Sequence, residues 1–248
     1  MERLRAIRTV LVRPTHAGNV GATARALKNM GLAQLYLVAP EDYPAPEATA
    51  RAADAEDVLQ QAVICPGLDQ AIGDCHFVVG TSARTRYITW PMLDPRACAE
   101  RLLVEAQRGT VALLFGQERT GLTNAELDRC HALVHIPSSP AYSSLNLACA
   151  VQILAYELYV AATTGERTAV ATVDPPAALE EVERFYHHLE RVLVEIGFLD
   201  PANPRLLMRR LRRLFGRAQP DQNDINILRG VLTEVQKNRV KLDKKDKE

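Results

Sequence analysis

Four short segments hold the residues whose types and spacing could do chemistry. Thr15 through Arg25 reads Thr-His-Ala-Gly-Asn-Val-Gly-Ala-Thr-Ala-Arg. Two glycines there flank a helix start, where free backbone N–H groups could face an anion. Arg25 then projects from the first turns toward the mouth of whatever precedes it. A capped helix with a surface arginine fits the same residues. Gly80-Thr81-Ser82-Ala83-Arg84-Thr85-Arg86 combines small residues, which let a ligand approach the backbone, with two arginines suited to phosphate. Leu113 through Leu122 is an apolar run passing into a loop bounded by Gly116 and Gly121, with Glu118 between them. Ile136-Pro137 leads through Tyr142-Ser143-Ser144-Leu145-Asn146 into a long apolar stretch. Gly116 to Gly121 is not a phosphate loop, because Leu122 and Thr123 follow where Lys and Ser/Thr would be needed. The Gly-x-Gly-x-x-Gly fingerprint of dinucleotide folds is missing as well.

The elements that must hold these loops can be read from period and punctuation. Strands are expected at Val10–Val12, Leu35–Val38, Ala62–Cys65, Phe77–Val79, Val111–Phe115 and Leu133–Ile136. A helix runs from Asn19 to Gly31, with asparagine and glycine at the usual cap positions. Others begin after Asp94-Pro95 and after Thr123, where Thr123-x-x-Glu126 is a capping box. Strand–helix alternation of this kind gives a mainly parallel sheet with helices on both faces. Ligands bind such sheets beyond the carboxyl ends of the strands, where the four segments fall.

Leu145–Ala162 is interrupted by Asn146, Gln152 and Glu157, so a buried helix explains it better than a membrane span. The expected organisation is an α/β domain over 1–163, a linker at 164–176 and a small all-helical domain over 177–240. Its helices lie near 177–196, 204–216 and 222–239, and a charged, unstructured tail covers 241–248.

Composition narrows the function classes. The 248 residues are 47% hydrophobic and 24% charged, which is ordinary for a globular chain. The formal net charge is zero, yet residues 1–28 carry Arg3, Arg5, Arg8, Arg13, Arg25 and Lys28 against Glu2 alone. Residues 205–217 carry six arginines and no acid. Two basic zones on a neutral chain point to a local anionic target, or to solvated helix faces. The five cysteines are widely spaced and odd in number, against a disulfide framework or a zinc site. No metal is expected: His131 and His135 lack ligand partners nearby in sequence. With no secretory apolar region at the N-terminus, a soluble, cytoplasmic chain is expected.

Taken in order, the segments resemble the three motifs of the knotted SPOUT superfamily, in its ribose-methylating, TrmH-type branch. Asn19-x-Gly21-x-x-x-Arg25 matches the first, Phe115-Gly116-x-Glu118-x-x-Gly121-Leu122 the second, and Ile136-Pro137 with Tyr142-Ser143-Ser144-Leu145-Asn146-Leu147-Ala148 the third. The resemblance spans about 1–165. Thr81–Arg84, Trp90–Arg96, Glu183–Tyr186 and Leu211–Phe215 extend it toward the bacterial tRNA (cytidine/uridine-2′-O)-methyltransferases. It implies a trefoil knot near the second and third motifs and a homodimer packed through the knot region. It also implies S-adenosylmethionine as cofactor, and tRNA nucleotide 32 in the anticodon loop as target. By resemblance the cofactor would contact Thr81, Ser82, Ala83, Gly116, Ile136, Ser143, Ser144 and Leu145. Arg25 would act on the target hydroxyl or its phosphate, with Ser144 orienting the hydroxyl. Glu118 would brace the loop and an arginine, and Asn19 and Asn146 would position the rest. On the expected 204–216 helix, Leu207, Leu211, Leu214 and Phe215 form an apolar stripe opposite Arg205, Arg209, Arg212 and Arg213. Those arginines, with Arg84 and Arg86, are the expected RNA contacts. An enzyme acting on rRNA or another tRNA site, and a non-catalytic RNA-binding protein on the same fold, are the alternatives.

Overall fold

The computed structural model describes residues 2–82, 91–164 and 176–245, with side chains described over 3–82, 91–164 and 176–239. The chain divides into two units, Met1–Val173 and Asp174–Glu248. The first opens with a 3-10 turn, Glu2–Ala6, and continues as β1 (Ile7–Val12), α1 (Ala17–Asn29), β2 (Gln34–Val38), α2 (Pro46–Ala52), α3 (Glu56–Gln60), β3 (Val63–Cys65) and α4 (Leu68–Ile72). It goes on through β4 (Phe77–Thr81), β5 (Met92–Leu93), α5 (Pro95–Glu105), β6 (Val111–Phe115), α6 (Asn124–Leu127), β7 (Ala132–Val134) and α7 (Leu147–Thr164).

The seven strands form one sheet in the order β3-β2-β1-β6-β4-β7-β5, and every pairing is parallel. Parallel strands need cover on both faces, so their sequences are continuous rather than alternating apolar runs. β1, β6 and β7 are buried at every residue. Register then sets where the loops emerge. Leu11 lies beside Phe115, Gly80 beside Leu114, and Thr81 beside Val134. The carboxyl ends of β1, β6, β4 and β7 therefore finish side by side, and the loops after them share one edge of the sheet.

α1, α5 and α7 pack together over this sheet. α7 is long and apolar enough to cross a membrane, but Leu147, Val151, Leu154, Ala155 and Leu158 are buried in the core of the unit. Asp94 caps α5 by accepting from Ala97 N at 2.9 Å, and both halves of the Thr123–Glu126 capping box are made.

Several expectations need correction. α1 begins at Ala17 with His16 at the cap, so Asn19 is the third helical residue and not the cap. Gly31, at φ 69°, does end the helix. Gly18 and Gly21 face α2, and the backbone N–H groups that meet an anion at this helix start are those of Thr15 and His16, on the Glu118 carboxylate. A Cβ on Gly21 would stand 2.0 Å from Ala48 O, and one on Gly18 would stand 2.5 Å from Glu47 Oε1. At Gly21 the neighbour is backbone, and only glycine lets the two helices approach so closely there. β7 stops at Val134, two residues short of Ile136, and β5 has no counterpart among the expected strands. A two-residue edge strand leaves almost no periodic trace.

The second unit holds α8 (Leu179–Glu195), α9 (Leu207–Ala218) and α10 (Gln222–Lys245). Phe185, Tyr186, Val192, Ile225 and Leu232 form its core, and Phe215 packs edge-on to Phe185 with ring centroids 5.0 Å apart. α10 runs through Lys245, into the stretch expected to be unstructured; Lys and Leu are good helix formers, and one Gly-free run carries the helix on. The apolar stripe of α9 is shallower than expected, since no residue of this helix is fully buried and Leu214 is 50% exposed.

Candidate active site

A cavity of about 230 Å³ opens at the carboxyl ends of β4, β6 and β7. Thr81 and Ser82 form one side, Phe115 and the 116–122 loop another, and Val134, Ile136 and Ser143–Leu145 a third; Leu147 and Ala150 of α7 close the floor. Of the residues the motif resemblance assigns to the cofactor, Thr81, Ser82, Gly116, Ile136, Ser143, Ser144 and Leu145 line this one cavity. Ala83, Arg84 and Arg86 lie outside the described residues.

The glycine-bounded loop is shaped by its own backbone. Gly121 N donates to Gln117 O at 2.8 Å, and Gly121 sits at φ 69°, a conformation glycine adopts without strain. A Cβ on Gly116 would stand 2.2 Å from Gly121 C and from Leu122 N. The loop can fold back over the end of β6 only because position 116 has no side chain. Leu122 then buries beneath it, and Thr123 starts the next helix.

Glu118 joins three distant segments. Its carboxylate accepts from Thr15 N at 3.1 Å, Thr15 Oγ1 at 2.9 Å and Asn19 Nδ2 at 3.0 Å, with His16 N longer at 3.4 Å. Asn19 Oδ1 accepts from Asn146 Nδ2 at 2.9 Å. Asn146 Oδ1 accepts from Ala148 N at 3.0 Å and Cys149 N at 3.4 Å, which caps α7. Burial pushes the Glu118 carboxyl up, but the hydrogen bonds from Asn19 and Thr15 outweigh it and hold it below the usual carboxylate range. Glu118 is thus a braced anion and a poor proton acceptor. It braces no arginine among the described residues, contrary to expectation: its lone pairs are taken by backbone, hydroxyl and amide donors. Thr15 was not singled out from the sequence. A hydroxyl residue just before a helix start was the available sign.

Arg25 stands apart from this chain of contacts. Because α1 starts at Ala17, Arg25 is in its third turn rather than its first turns. It lies about 9 Å along the axis and about 120° round from Asn19. It is exposed, does not line the cavity, and makes no hydrogen bond or ion pair among the described residues. Its neighbours in the first basic zone are mostly engaged. Arg8 is buried, bonded to Asp74 and stacked on Tyr36; Arg13 pairs with Glu126 at 2.9 Å and Lys28 with Asp57 at 2.8 Å.

In the second unit the expected cationic face also loses a member. Arg212 bonds Glu183 and lies over the Tyr186 ring, 4.4 Å from its centroid, so it belongs to the interior of the unit. The sequence placed it opposite the apolar stripe, but α9 meets α8 along that side. Arg205 and Arg210 are exposed, while Arg209 and Arg213 are partly covered.

The cavity suits an adenosine-like ligand. Phe115, Leu122, Val134, Ile136, Leu145 and Leu147 give it apolar walls for a flat ring, while Thr81, Ser82, Ser143 and Ser144 supply hydroxyls. The N–H groups of Ser144 and Leu145 have no partner among the described residues, so main-chain donors are available to a ring edge. No cluster of three His, Cys, Asp or Glu is placed to hold a metal among the described residues. His131 Nδ1 accepts from Val78 N at 3.0 Å, and His135 Nδ1 lies 3.1 Å from Ser82 O.

Comparison with known proteins agrees with this geometry. The SpoU rRNA methylase family model matches residues 6–156, and the model for the C-terminal domain of the tRNA methyltransferase TrmJ matches residues 180–246. The tRNA (cytidine/uridine-2′-O-)-methyltransferase TrmJ of Sodalis glossinidius is 53% identical over 93% of this chain and 91% of its own. The tRNA (cytidine/uridine/adenosine-2′-O-)-methyltransferase TrmJ of Pseudomonas aeruginosa is 52% identical over 93% of this chain and 94% of its own. The crystal structure of TrmJ from Z. mobilis ZM4 superposes with a TM-score of 0.81 at 37% identity, covering 92% of this chain and 98% of that one. The segments that converge on the cavity are those of the SpoU methylases, the helical unit that follows them is that of TrmJ, and the chain belongs to the SpoU family in its TrmJ branch.

Proposed function

We propose that this protein methylates the ribose 2′-hydroxyl of tRNA nucleotide 32, accepting cytidine and uridine, with S-adenosylmethionine as methyl donor. The observation that carries the reading is the convergence of three sequence-distant motifs on one apolar, hydroxyl-rimmed cavity, tied together through Glu118, Asn19 and Asn146. The cofactor, when bound, supplies an electrophilic methyl group on a sulfonium. The remaining work falls to the chain. Thr81, Ser82, Gly116, Ile136 and Ser143–Leu145 hold the adenosyl portion, and Ser144 orients the target hydroxyl. The hydroxyl loses its proton as its oxygen gains the methyl group, and the proton leaves to water. Glu118 is the only carboxylate lining the cavity among the described residues, and it is held as an anion by its donors. Its role is to fix the loop, since alignment of the reacting atoms contributes most of such a rate. Arg25 holds the phosphate next to the target and steadies the developing alkoxide.

A single copy leaves Arg25 outside the cavity, which supports a homodimer in which a second copy brings the missing cation. Tyr156 at 52% and Tyr159 at 36% exposed give α7 an apolar outer face for that contact. The threading that links the 116–122 and 136–146 loops is read as the trefoil knot of the superfamily. Arg84, Arg86, Arg205, Arg209 and Arg213 contact RNA phosphates. The domain bounds follow as 1–163 for the methyltransferase unit and 177–240 for the tRNA-binding unit. None of the five cysteines forms a disulfide and only Cys149 among them is exposed, consistent with work in a reducing cytoplasm.

Phosphate and shape readout carries little sequence information, so the base at the target should matter little. The name of the Pseudomonas relative, which adds adenosine, supports that tolerance. The test is to methylate transcripts carrying C, U, A or G at position 32, beside an isolated anticodon stem-loop, and to digest the products to nucleosides. Ribose-methylated nucleosides from position 32 of full-length tRNA are expected, with at most weak activity on the stem-loop. A base-methylated product, or methylation elsewhere, would overturn the assignment.

A further inference from the structure

We infer that the second unit holds a nucleotide pocket in which Phe198 stacks on an unpaired base while Arg205 and Arg210 take its phosphates. This rests on the reading above that tRNA is the substrate. The chain leaves α8 through Gly197 at φ 75°, and both Phe198 N and Leu199 N donate to Leu193 O, at 2.9 and 3.0 Å. That turn sends consecutive side chains opposite ways. Leu199 is 4% exposed, while Phe198 is 68% exposed. Phe198 is therefore no part of this unit's core, and its ring is open to a partner.

Phe198 does not stand alone. It lines a cavity of about 560 Å³ with Leu199, Asp200, Asn203, Arg205 and Arg210, within the size range of small-ligand sites. Another part of the wall is shaped by a turn in which Asn203 N donates to Asp200 O at 3.1 Å and Ala202 N to Asp200 Oδ1 at 2.9 Å. Arg205 follows at φ 49°, a left-handed conformation that a non-glycine residue keeps only where its surroundings fix it. Neither Arg205 nor Arg210 has an ion pair among the described residues, whereas Arg212 is committed to Glu183 and Tyr186. An aromatic face, two uncommitted guanidinium groups and one carboxylate in a single cavity match a nucleotide. The ring takes the base by stacking and the arginines take phosphate. Asp200, which would repel phosphate, instead accepts from an exocyclic amino group, favouring cytosine or adenine over uracil. Methyl transfer is not its task. It is a second point of attachment that reads an unpaired nucleotide of the tRNA.

The experiment measures affinity of the full chain for an unmodified full-length tRNA transcript across a salt series. Phe198→Leu should weaken binding roughly tenfold or more, as loss of one stacked base does. Phe198→Trp should bind at least as tightly as the wild type. Arg205→Ala with Arg210→Ala should lower the slope of log affinity against log salt by about 1.5 to 2, while Phe198→Leu leaves the slope unchanged. Equal affinity for the Leu and Trp variants would overturn the stacking assignment. So would loss of self-association in Phe198→Leu by sedimentation, which would make this face a contact between two copies. A wild-type chain that binds no tRNA would sink the substrate reading itself. A wild-type chain that binds tRNA, beside a Leu variant equal to it, would sink only the pocket.

Discussion

Replacing Glu118 by Gln, ordinarily a mild change, should here be as damaging as replacing it by Ala. The carboxylate receives three good hydrogen bonds, from Thr15 N, Thr15 Oγ1 and Asn19 Nδ2, and a longer one from His16 N. A glutamine offers one oxygen to these donors and turns an NH₂ group toward the others. Thr15 Oγ1 can rotate and accept. Asn19 can accept only by flipping, which breaks its contact with Asn146 Nδ2. Hydrogen bonds to a charged group are worth about 1.5–3 kcal/mol each, so losing even one of them is a gross loss of that size. Solvent reaches much of Glu118, and discounting for that screening leaves about 1–2 kcal/mol. For a unit of this size the corresponding fall in Tm is roughly 2–8 °C. Thermal unfolding and single-turnover methyl transfer, measured on wild type, Glu118→Gln and Glu118→Ala, provide the assay. Methyl transfer should fall with stability in both variants, because the loop that lines the cavity loses its anchor to α1. A Gln variant equal to wild type in both readouts would refute the claim that Glu118 acts as an anionic acceptor. The same anchoring has a pH signature. The depressed carboxyl contributes stability above its unfolded pKa, and that contribution is lost as pH falls through the lower folded value.

Other outcomes follow from single contacts. Arg25→Ala should abolish methyl transfer while sparing cofactor affinity by calorimetry, and Arg25→Lys should also fail if bidentate phosphate geometry matters; near-wild-type turnover in either would remove Arg25 from the reaction. Gly116→Ala and Gly21→Ala should each destabilise the chain by about 1–3 kcal/mol through overpacking. Only Gly116→Ala should also weaken cofactor binding, since Gly21 contacts α2 and not the cavity, and equal cofactor affinities would contradict that division. His131, packed against Phe77 and accepting from Val78 N, has its pKa pulled down to about 4 by burial and then by neighbouring His76. Its neutral form is favoured by folding, so its contribution is present above the unfolded value near 6.5 and fades as pH falls toward 4. His131→Asn should flatten stability against pH across that window, as followed by urea unfolding. Arg209→Ala with Arg213→Ala should lower the salt dependence of tRNA affinity by about one unit of slope per lost phosphate contact, whereas Arg212→Ala should instead lower stability. An unchanged slope would move the RNA contact elsewhere.

The sheet was legible because buried parallel strands are written as unbroken apolar runs, as in Val111–Phe115, and its helices because Asp94-Pro95 and Thr123-x-x-Glu126 are local signals. Strand order was not, since nothing local says that β6 lies between β1 and β4. The glycines were visible but their partners were not. The N–H groups at this helix start do meet a carboxylate, that of distant Glu118, and only the approach of α2, a tertiary fact, shows why Gly21 is bare. Arg212 was misplaced for a related reason. A helical wheel shows which side is polar but not which partner lies across it, and Glu183 with Tyr186 lies across this one. Thr15 escaped notice because its partner is Glu118, more than a hundred positions away in the chain.

Asn19 uses both ends of its amide, donating to Glu118 and accepting from Asn146. A carboxylate in its place would accept at both ends and repel Glu118, and an aliphatic residue would serve neither. Changes at these three positions should therefore be partly non-additive: once Asn19 is lost, removing Glu118 costs only its bonds to Thr15 and His16, and removing Asn146 only the cap of α7. In a lineage, drift at any one of them is tolerable only alongside compensation at its neighbour. The three positions should change together or not at all, a pattern of substitution that comes from the direction of two hydrogen bonds and holds whatever RNA the enzyme meets.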